Sequence, residues 1–290
     1  MFEDKLTKAI KLAENAKHEK AIKLCDEILK KESENVNVLK LKANCLNELN
    51  QKKEALKYYN LALEINPKRA DILLYKAEIL MVEFEKFDEG YECINLALDL
   101  NSDIAQGWFL KGLYYGLMGD VEKGIDCLDI GLHMDSDDII GWFYKGGFLK
   151  IMKKYDEAIK CFDVILSIEP DHKEAIYLKA DAYLYLDELD NSFKYCNEAL
   201  SLEGGFVELN VNLYLLKGCL LTITENFDEA LINVDNALKL NKKNYNALLM
   251  KAQCLAYKQD FKASLEVIDN TLKMYPNALD FLELKHEIQS

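Results

Sequence analysis

Trp108-Phe109-Leu110-Lys111-Gly112-Leu113-Tyr114-Tyr115 and Trp142-Phe143-Tyr144-Lys145-Gly146-Gly147-Phe148-Leu149 carry one pattern of bulky, lysine and small residues, 34 positions apart. The lysine and small-residue pair returns as Lys42-Ala43, Lys76-Ala77, Lys179-Ala180, Lys217-Gly218 and Lys251-Ala252, with Lys8-Ala9 before the series and Lys285-His286 after it. From Lys8 to Lys285, successive lysines lie 34, 34, 35, 34, 34, 38, 34 and 34 residues apart. A fixed period of this length is the mark of a repeat architecture. The 290 residues are therefore expected to form one elongated array and not one or two globular domains.

Each period holds two apolar stripes with helical spacing. Leu39, Ala43 and Leu46 follow i, i+4, i+7, and after the polar Asn50-Gln51-Lys52-Lys53 the pattern restarts as Ala55, Tyr59, Ala62 and Leu63. The spacing predicts a helical hairpin per repeat and an all-α chain. Eight repeats are expected over 2–33, 36–67, 70–102, 105–136, 139–170, 173–204, 209–242 and 245–276, with a capping helix over 278–289. Glu283, Lys285, Glu287 and Gln289 would face outward on that last helix, as the end of a solenoid requires. Pro67, Pro170 and Pro276 share one repeat slot, where the missing N–H ends the second helix. The 38-residue interval places an insertion at Gly204-Gly205-Phe206, either a lengthened first helix or a hinge.

These residues resemble the tetratricopeptide repeat family over nearly the whole chain. Its first-helix slots are filled by Trp108, Gly112 and Tyr115, by Trp142, Gly146 and Leu149, and by Ile176, Ala180 and Tyr183. Its second-helix slots hold Ala55, Tyr59 and Ala62, then Ala158, Phe162 and Ile165, then Ala230, Val234 and Ala237. The chain departs from the family in placing lysine where leucine is usual. Gly90, Gly124 and Gly131 also stand where alanine is common, at a cost of about 1 kcal/mol each, and would permit closer helix contact. The resemblance implies a right-handed α-solenoid whose first helices line a concave groove, and a non-catalytic scaffold that binds a peptide or partner helix there.

The groove-facing slots implied by the resemblance lie two before and two after each lysine. They hold Lys40 and Asn44, Leu74 and Glu78, Phe109 and Leu113, Phe143 and Gly147, Tyr177 and Asp181, Leu215 and Cys219, Leu249 and Gln253. Further along come Met81, Leu117, Ile151, Tyr185, Ile223 and Tyr257. From the third repeat onward the row is mostly apolar or aromatic, which fits an apolar or amphipathic partner segment. The two-carboxylate clamp of chaperone-binding relatives is not matched. Lys40 and Asn44 fit its first element, but Glu78, Phe109 and Leu113 replace the asparagine, lysine and arginine that should follow. The recurring lysines are expected to lay their stems over apolar surface and reach an acidic group or water.

The formal net charge of −14 argues against nucleic acid or an anionic membrane as the main partner. No apolar run is long enough to span a bilayer, and Met1-Phe2-Glu3-Asp4-Lys5 lacks the apolar core of a signal peptide, so a cytoplasmic location is expected. The eight cysteines form no Cys-x-x-Cys pair, and Cys93, Cys127 and Cys161 keep the repeat period, as small buried hydrophobes would. The histidines at 18, 133, 172 and 286 are scattered, so no metal or other cofactor is expected. The acidic run Asp135-Ser136-Asp137-Asp138 lacks the glycine and distal glutamate of a calcium loop and suits a turn before a helix. No phosphate loop or nucleophile motif is present, so no enzyme is expected. Two alternatives stay open: a self-assembling homo-oligomer, and a binder of an apolar small molecule.

Overall fold

The computed structural model describes residues 2–290, so Met1, the first residue of the N-terminal stretch read above, lies outside it. The described residues form α-helices joined by turns, with no strand among them. Two compact units divide at Phe148 and Leu149.

The first unit contains α1 (Phe2–Glu14), α2 (His18–Leu29), α3 (Val36–Glu48), α4 (Lys52–Ile65), α5 (Ala70–Phe84), α6 (Phe87–Leu100), α7 (Ala105–Leu117), α8 (Val121–Met134) and the start of α9 (Ile139–Ile151). Helices up to α8 pack on their sequence neighbours, and first helices also meet across repeats, α1 with α3 and α5 with α7. The core lies between the two helices of each hairpin and the next. One cluster joins Leu39, Ala43 and Leu46 of α3 to Ala55, Tyr59 and Ala62 of α4 and to Ile72 of α5. The alanines supply the closeness: Ala43, Ala55 and Ala62 have no exposed surface.

Glycines bring α7 and α8 closer still. A Cβ added at Gly112 would lie 2.9 Å from the Gly124 carbonyl, and one at Gly124 would lie 3.1 Å from the Gly112 carbonyl. Gly131 leaves room for the Phe109 ring, whose nearest carbon would stand 2.4 Å from an added Cβ. The helix-propensity cost of these glycines is thus exchanged for backbone approach and for an aromatic seat.

The second unit holds α10 (Tyr155–Ile168), α11 (Lys173–Tyr185), α12 (Leu189–Ser201), α13 (Val207–Ile223), α14 (Phe227–Leu240), α15 (Tyr245–Tyr257), α16 (Phe261–Met274) and α17 (Leu279–Gln289). Its first helices also touch across repeats, α11 with α13 and α13 with α15. The insertion takes the form of a longer first helix: α13 has 17 residues, where α11 and α15 have 13. Before it, Gly204 and Gly205 both adopt φ of +82°, a conformation open chiefly to glycine. The buried Lys173 ammonium pins this loop by donating to the Leu202 and Gly204 carbonyls at 2.8 and 2.9 Å. At the C-terminus α17 buries Phe281 against the last hairpin while Glu283, Glu287 and Gln289 stay exposed.

Both units turn their hairpins in the same way. Two residues after each first helix, and one after α5, the backbone adopts a left-handed φ of 54 to 64° at Ala16, Asn50, Glu85, Lys153, Asp187, Glu225 and Gln259, and 85° at Gly119. The next amide closes the turn on a carbonyl of the first helix, as Gln51 does on Leu46 and Asn226 on Leu221, both at 2.8 Å. The prolines stand two residues past α4, α10 and α16, where the second helix has stopped.

Candidate interaction face on the first helices

Most of the recurring lysines are engaged between helices. Six of them reach back sixteen residues to the second helix of the preceding repeat: Lys42 to Asp26, Lys145 to Asp129, Lys179 to Asp163, Lys251 to Asp235 and Lys285 to Asp269, with Lys111 donating to Asn95 at 3.0 Å. Lys42 also meets Tyr58, and Lys179 meets Tyr195, each sixteen residues further on. Lys42 and Lys179 are buried as a result. The stem covers apolar surface and the ammonium meets a carboxylate, as the sequence leads one to expect.

The residues two before and two after the lysines divide by depth. In the first unit Leu74, Phe109 and Leu113 are buried, so they form the floor of the face and not its surface. Lys40 is half-buried and paired with Asp71 at 2.8 Å, a carboxylate that Arg69 also holds through two bonds of 2.8 Å. Arg69 first, and then Lys40, keep the Asp71 carboxyl well below the usual carboxylate range. Asn44 accepts a hydrogen bond from the buried Tyr59 hydroxyl at 2.6 Å. Lys40 and Asn44 are therefore committed within the fold. Phe143 and Gly147 are half-buried, and Glu78 is open to solvent.

Glu78, Phe109 and Leu113 do come together. With Val82, Leu110, Gln106, Ile140, Tyr144, Asp135 and Asp138 they line a cavity of about 360 Å³ between α5, α7 and the first turns of α9. Val82 and Ile140 stand at its mouth with 56 and 60 % of their surface exposed. Desolvation raises the Glu78 carboxyl above its ordinary value, with Lys52 opposing that shift and Glu48 adding to it.

In the second unit Leu215 is buried, while Tyr177, Asp181 and Leu249 are half-buried and Gln253 is exposed. Asp181 is ion-paired with Lys150. Burial, followed by the Asp181 charge, pushes the Tyr177 phenol well above its usual range.

From Lys76 to Lys251, an exposed apolar residue stands six positions after each recurring lysine. Val82, Leu117, Ile151, Tyr185, Ile223 and Tyr257 expose 49 to 66 % of their area, an unbroken series of large apolar side chains in one repeat slot. Sequence reasoning missed Val82 and took Met81, which is buried beneath Gly90 at 1 % exposure. The six-residue rule that held at the other five lysines points to Val82. In the second unit two of these residues stack on the start of the preceding second helix: Tyr185 on Tyr155, with centroids 5.0 Å apart, and Tyr257 on Phe227 at 5.8 Å. Asp135, Asp138 and Ile140 of the cavity were also missed, because they sit in and just after the inter-repeat turn.

No group of three or more potential metal ligands occurs among the described residues. No helix of the described residues is long and apolar enough to cross a membrane.

A chain of paired helices with one apolar slot repeated along its first helices defines an all-α helical-repeat solenoid. The tetratricopeptide repeat profile matches residues 12–79 and again 173–205, so these two stretches carry tetratricopeptide repeats. A tetratricopeptide repeat protein from Parabacteroides merdae shares the fold with a TM-score of 0.62 at 18% identity, over 89% of this chain and 98% of its own. The Cut9-Hcn1 hetero-tetramer of the APC/C gives a TM-score of 0.71 at 13% identity, over 99% of this chain and 55% of that one. A human IFIT1 dimer with PPP-AAAA also gives 0.71, at 17% identity, over 100% of this chain and 72% of that one. No curated protein matches the sequence.

Proposed function

We propose that this chain is a non-catalytic scaffold of the cytoplasm that holds a peptide or amphipathic helix of a partner protein against its first helices. The observation that carries the reading is the exposed apolar slot six residues after each lysine, from Val82 to Tyr257. Six large apolar side chains kept in water at one register have a use only if something covers them. Lys40, Asn44, Leu74, Phe109, Leu113 and Leu215 shape the floor and flank of this face. Phe143, Tyr177, Asp181, Leu249 and Gln253 contribute partly open surface, and Glu78 contributes charge. The formal charge of −14 favours a protein partner over a nucleic-acid backbone, although one fold neighbour was determined with PPP-AAAA.

The test uses the double variant Tyr185→Ala/Tyr257→Ala, whose side chains are mostly solvent-exposed, with Ile232→Ala of α14 as a control away from the face. Partners that the wild type and I232A retain from native extract should be lost by the double variant at unchanged thermal stability. Equal retention by all three would overturn the assignment of this face.

A further inference from the structure

We propose that the cavity between α5, α7 and α9 of the first unit binds a basic amphipathic segment of a partner protein, its apolar side chain entering between Val82 and Ile140 and its lysine or arginine meeting Glu78, Asp135 and Asp138. The inference rests on the scaffold reading and adds the chemistry of the partner at one site.

Two independent features of the cavity carry it. The first is shape and polarity: a pocket of about 360 Å³ with Phe109 and Leu113 as its floor and two open apolar side chains at its mouth. That volume accommodates one large aliphatic or aromatic side chain, the kind of anchor that dominates binding energy at interfaces. The second is charge. Every charged group lining the cavity is a carboxylate, and no lysine or arginine is among them. The reason lies in the lysine ladder. Lys111 of α7 is drawn back to Asn95, and Lys145 of α9 to Asp129, so these two cations are spent on the preceding second helices.

Glu78 makes no ion pair among the described residues, and Lys52, the cation nearest in effect, is engaged with Glu83 at 3.4 Å and Asn47 at 3.0 Å. Asp138 spends one oxygen capping α9 through the Gly141 amide at 2.6 Å and Asp135 one on the Asp137 amide at 3.3 Å, which leaves each a further oxygen for a ligand. Carboxylates gathered at one cavity with no cation among its lining favour an incoming cation, and an acidic ligand is repelled. An apolar anchor flanked by lysine or arginine satisfies both features, and a neutral apolar segment satisfies only the first.

The experiment titrates the full chain with three labelled twelve-residue amphipathic peptides of one leucine pattern, carrying lysine, glutamine or glutamate at the polar positions. Variants are E78Q/D135N/D138N, in which residue 138 keeps a side-chain oxygen to cap α9, and V82S/I140S at the mouth. The lysine peptide should bind most tightly. It should bind about tenfold more weakly to the neutralised triple variant, with a shallower salt dependence, and weaken similarly with V82S/I140S.

Equal affinity for the lysine and glutamine peptides, or binding of the lysine peptide unchanged by the triple variant, would overturn the basic-segment assignment. If the same peptide were nevertheless lost by Y185A/Y257A, the scaffold reading would stand while this site failed. Absence of saturable binding by any peptide would overturn this inference, and the extract-capture result would then decide the scaffold reading separately. A dimer in sedimentation that E78Q/D135N/D138N disperses would assign the cavity to a second copy of the chain and also overturn the proposal.

Discussion

The Lys179 ammonium is ion-paired with Asp163, sixteen residues earlier, and stands 4.0 Å from the centre of the Tyr195 ring, sixteen residues later. Burial works against the charge, but the bonds to Asp163 and Tyr195 outweigh it and hold the ammonium above the ordinary lysine value. One side chain thus ties the second helices of two successive repeats, α10 and α12, to the first helix between them. The same triangle recurs at Lys42 with Asp26 and Tyr58. In this array the slot usually filled by leucine serves as a polar clasp with an apolar stem.

Packing of the stem should matter more than the charge. Lys179 is 6 % exposed while half of the Asp163 side chain faces water, so removing the ammonium leaves no buried orphan charge. Lys179→Met keeps the stem and should cost less than about 1.5 kcal/mol. Lys179→Ala removes it and should cost about 2–3 kcal/mol, read as a shift in urea midpoint followed by circular dichroism. Equal losses would show that the ion pair and not the packing stabilises the repeat.

Acid should loosen the first unit through Asp71. Its carboxyl is held below the usual range by Arg69 and Lys40, so the folded value lies below the unfolded one near about 4. The stabilisation is present above the unfolded value and is lost as pH falls through the folded value. Asp71→Asn should therefore lower the melting temperature at neutral pH and flatten its fall below about pH 4. A variant whose acid limb stays parallel to wild type would remove Asp71 from this role.

How much of this could be read from the sequence depends on which contacts follow the period. The lysine spacing was enough to set the hairpins, the proline stops and the closing α17, because each is local to one repeat. The partner sixteen residues back was visible in principle, since Asp26, Asp129, Asp163, Asp235 and Asp269 keep the period of their lysines. Depth was not legible. Phe109 and Phe143 occupy the same slot, yet Phe109 is buried because Gly131 and Gly141 leave space for its ring, whereas Phe143 is half-buried. The acidic mouth of the cavity was hidden for another reason: Asp135 and Asp138 carry the ordinary signature of a turn and helix cap, and only the fold sets them opposite Glu78.

Two glycine substitutions in helices of the first unit should move stability in opposite directions. An added Cβ at Gly131 would lie 2.4 Å from the Phe109 ring and 3.2 Å from the Ala105 carbonyl, whereas at Gly147 it would meet nothing within 4 Å. Gly131→Ala should destabilise by about 1–3 kcal/mol because the ring must leave its seat. Gly147→Ala should stabilise by about 0.5–1 kcal/mol through helix propensity alone. Differential scanning calorimetry of the pair against wild type checks both signs.

The thiols should be protected by the fold and not by disulfides. None of the eight cysteines is joined in a disulfide, and seven are buried. Burial pushes Cys25 and Cys196 up to about 12 and Cys45 to about 11. Since the thiolate is the reacting form, a shift from about 8.5 to about 12 lowers its fraction near neutral pH on the order of a thousandfold, before access is counted. An aromatic disulfide reagent at about pH 8 should label Cys219, the partly open one, before the others, and the remaining thiols only as the repeats around them open. In concentrated guanidinium all eight should react at one rapid rate. Peptide mapping of the labelled sites gives the order, and early labelling of Cys25 or Cys196 in the native protein would show that the hairpins holding them are not closed in solution.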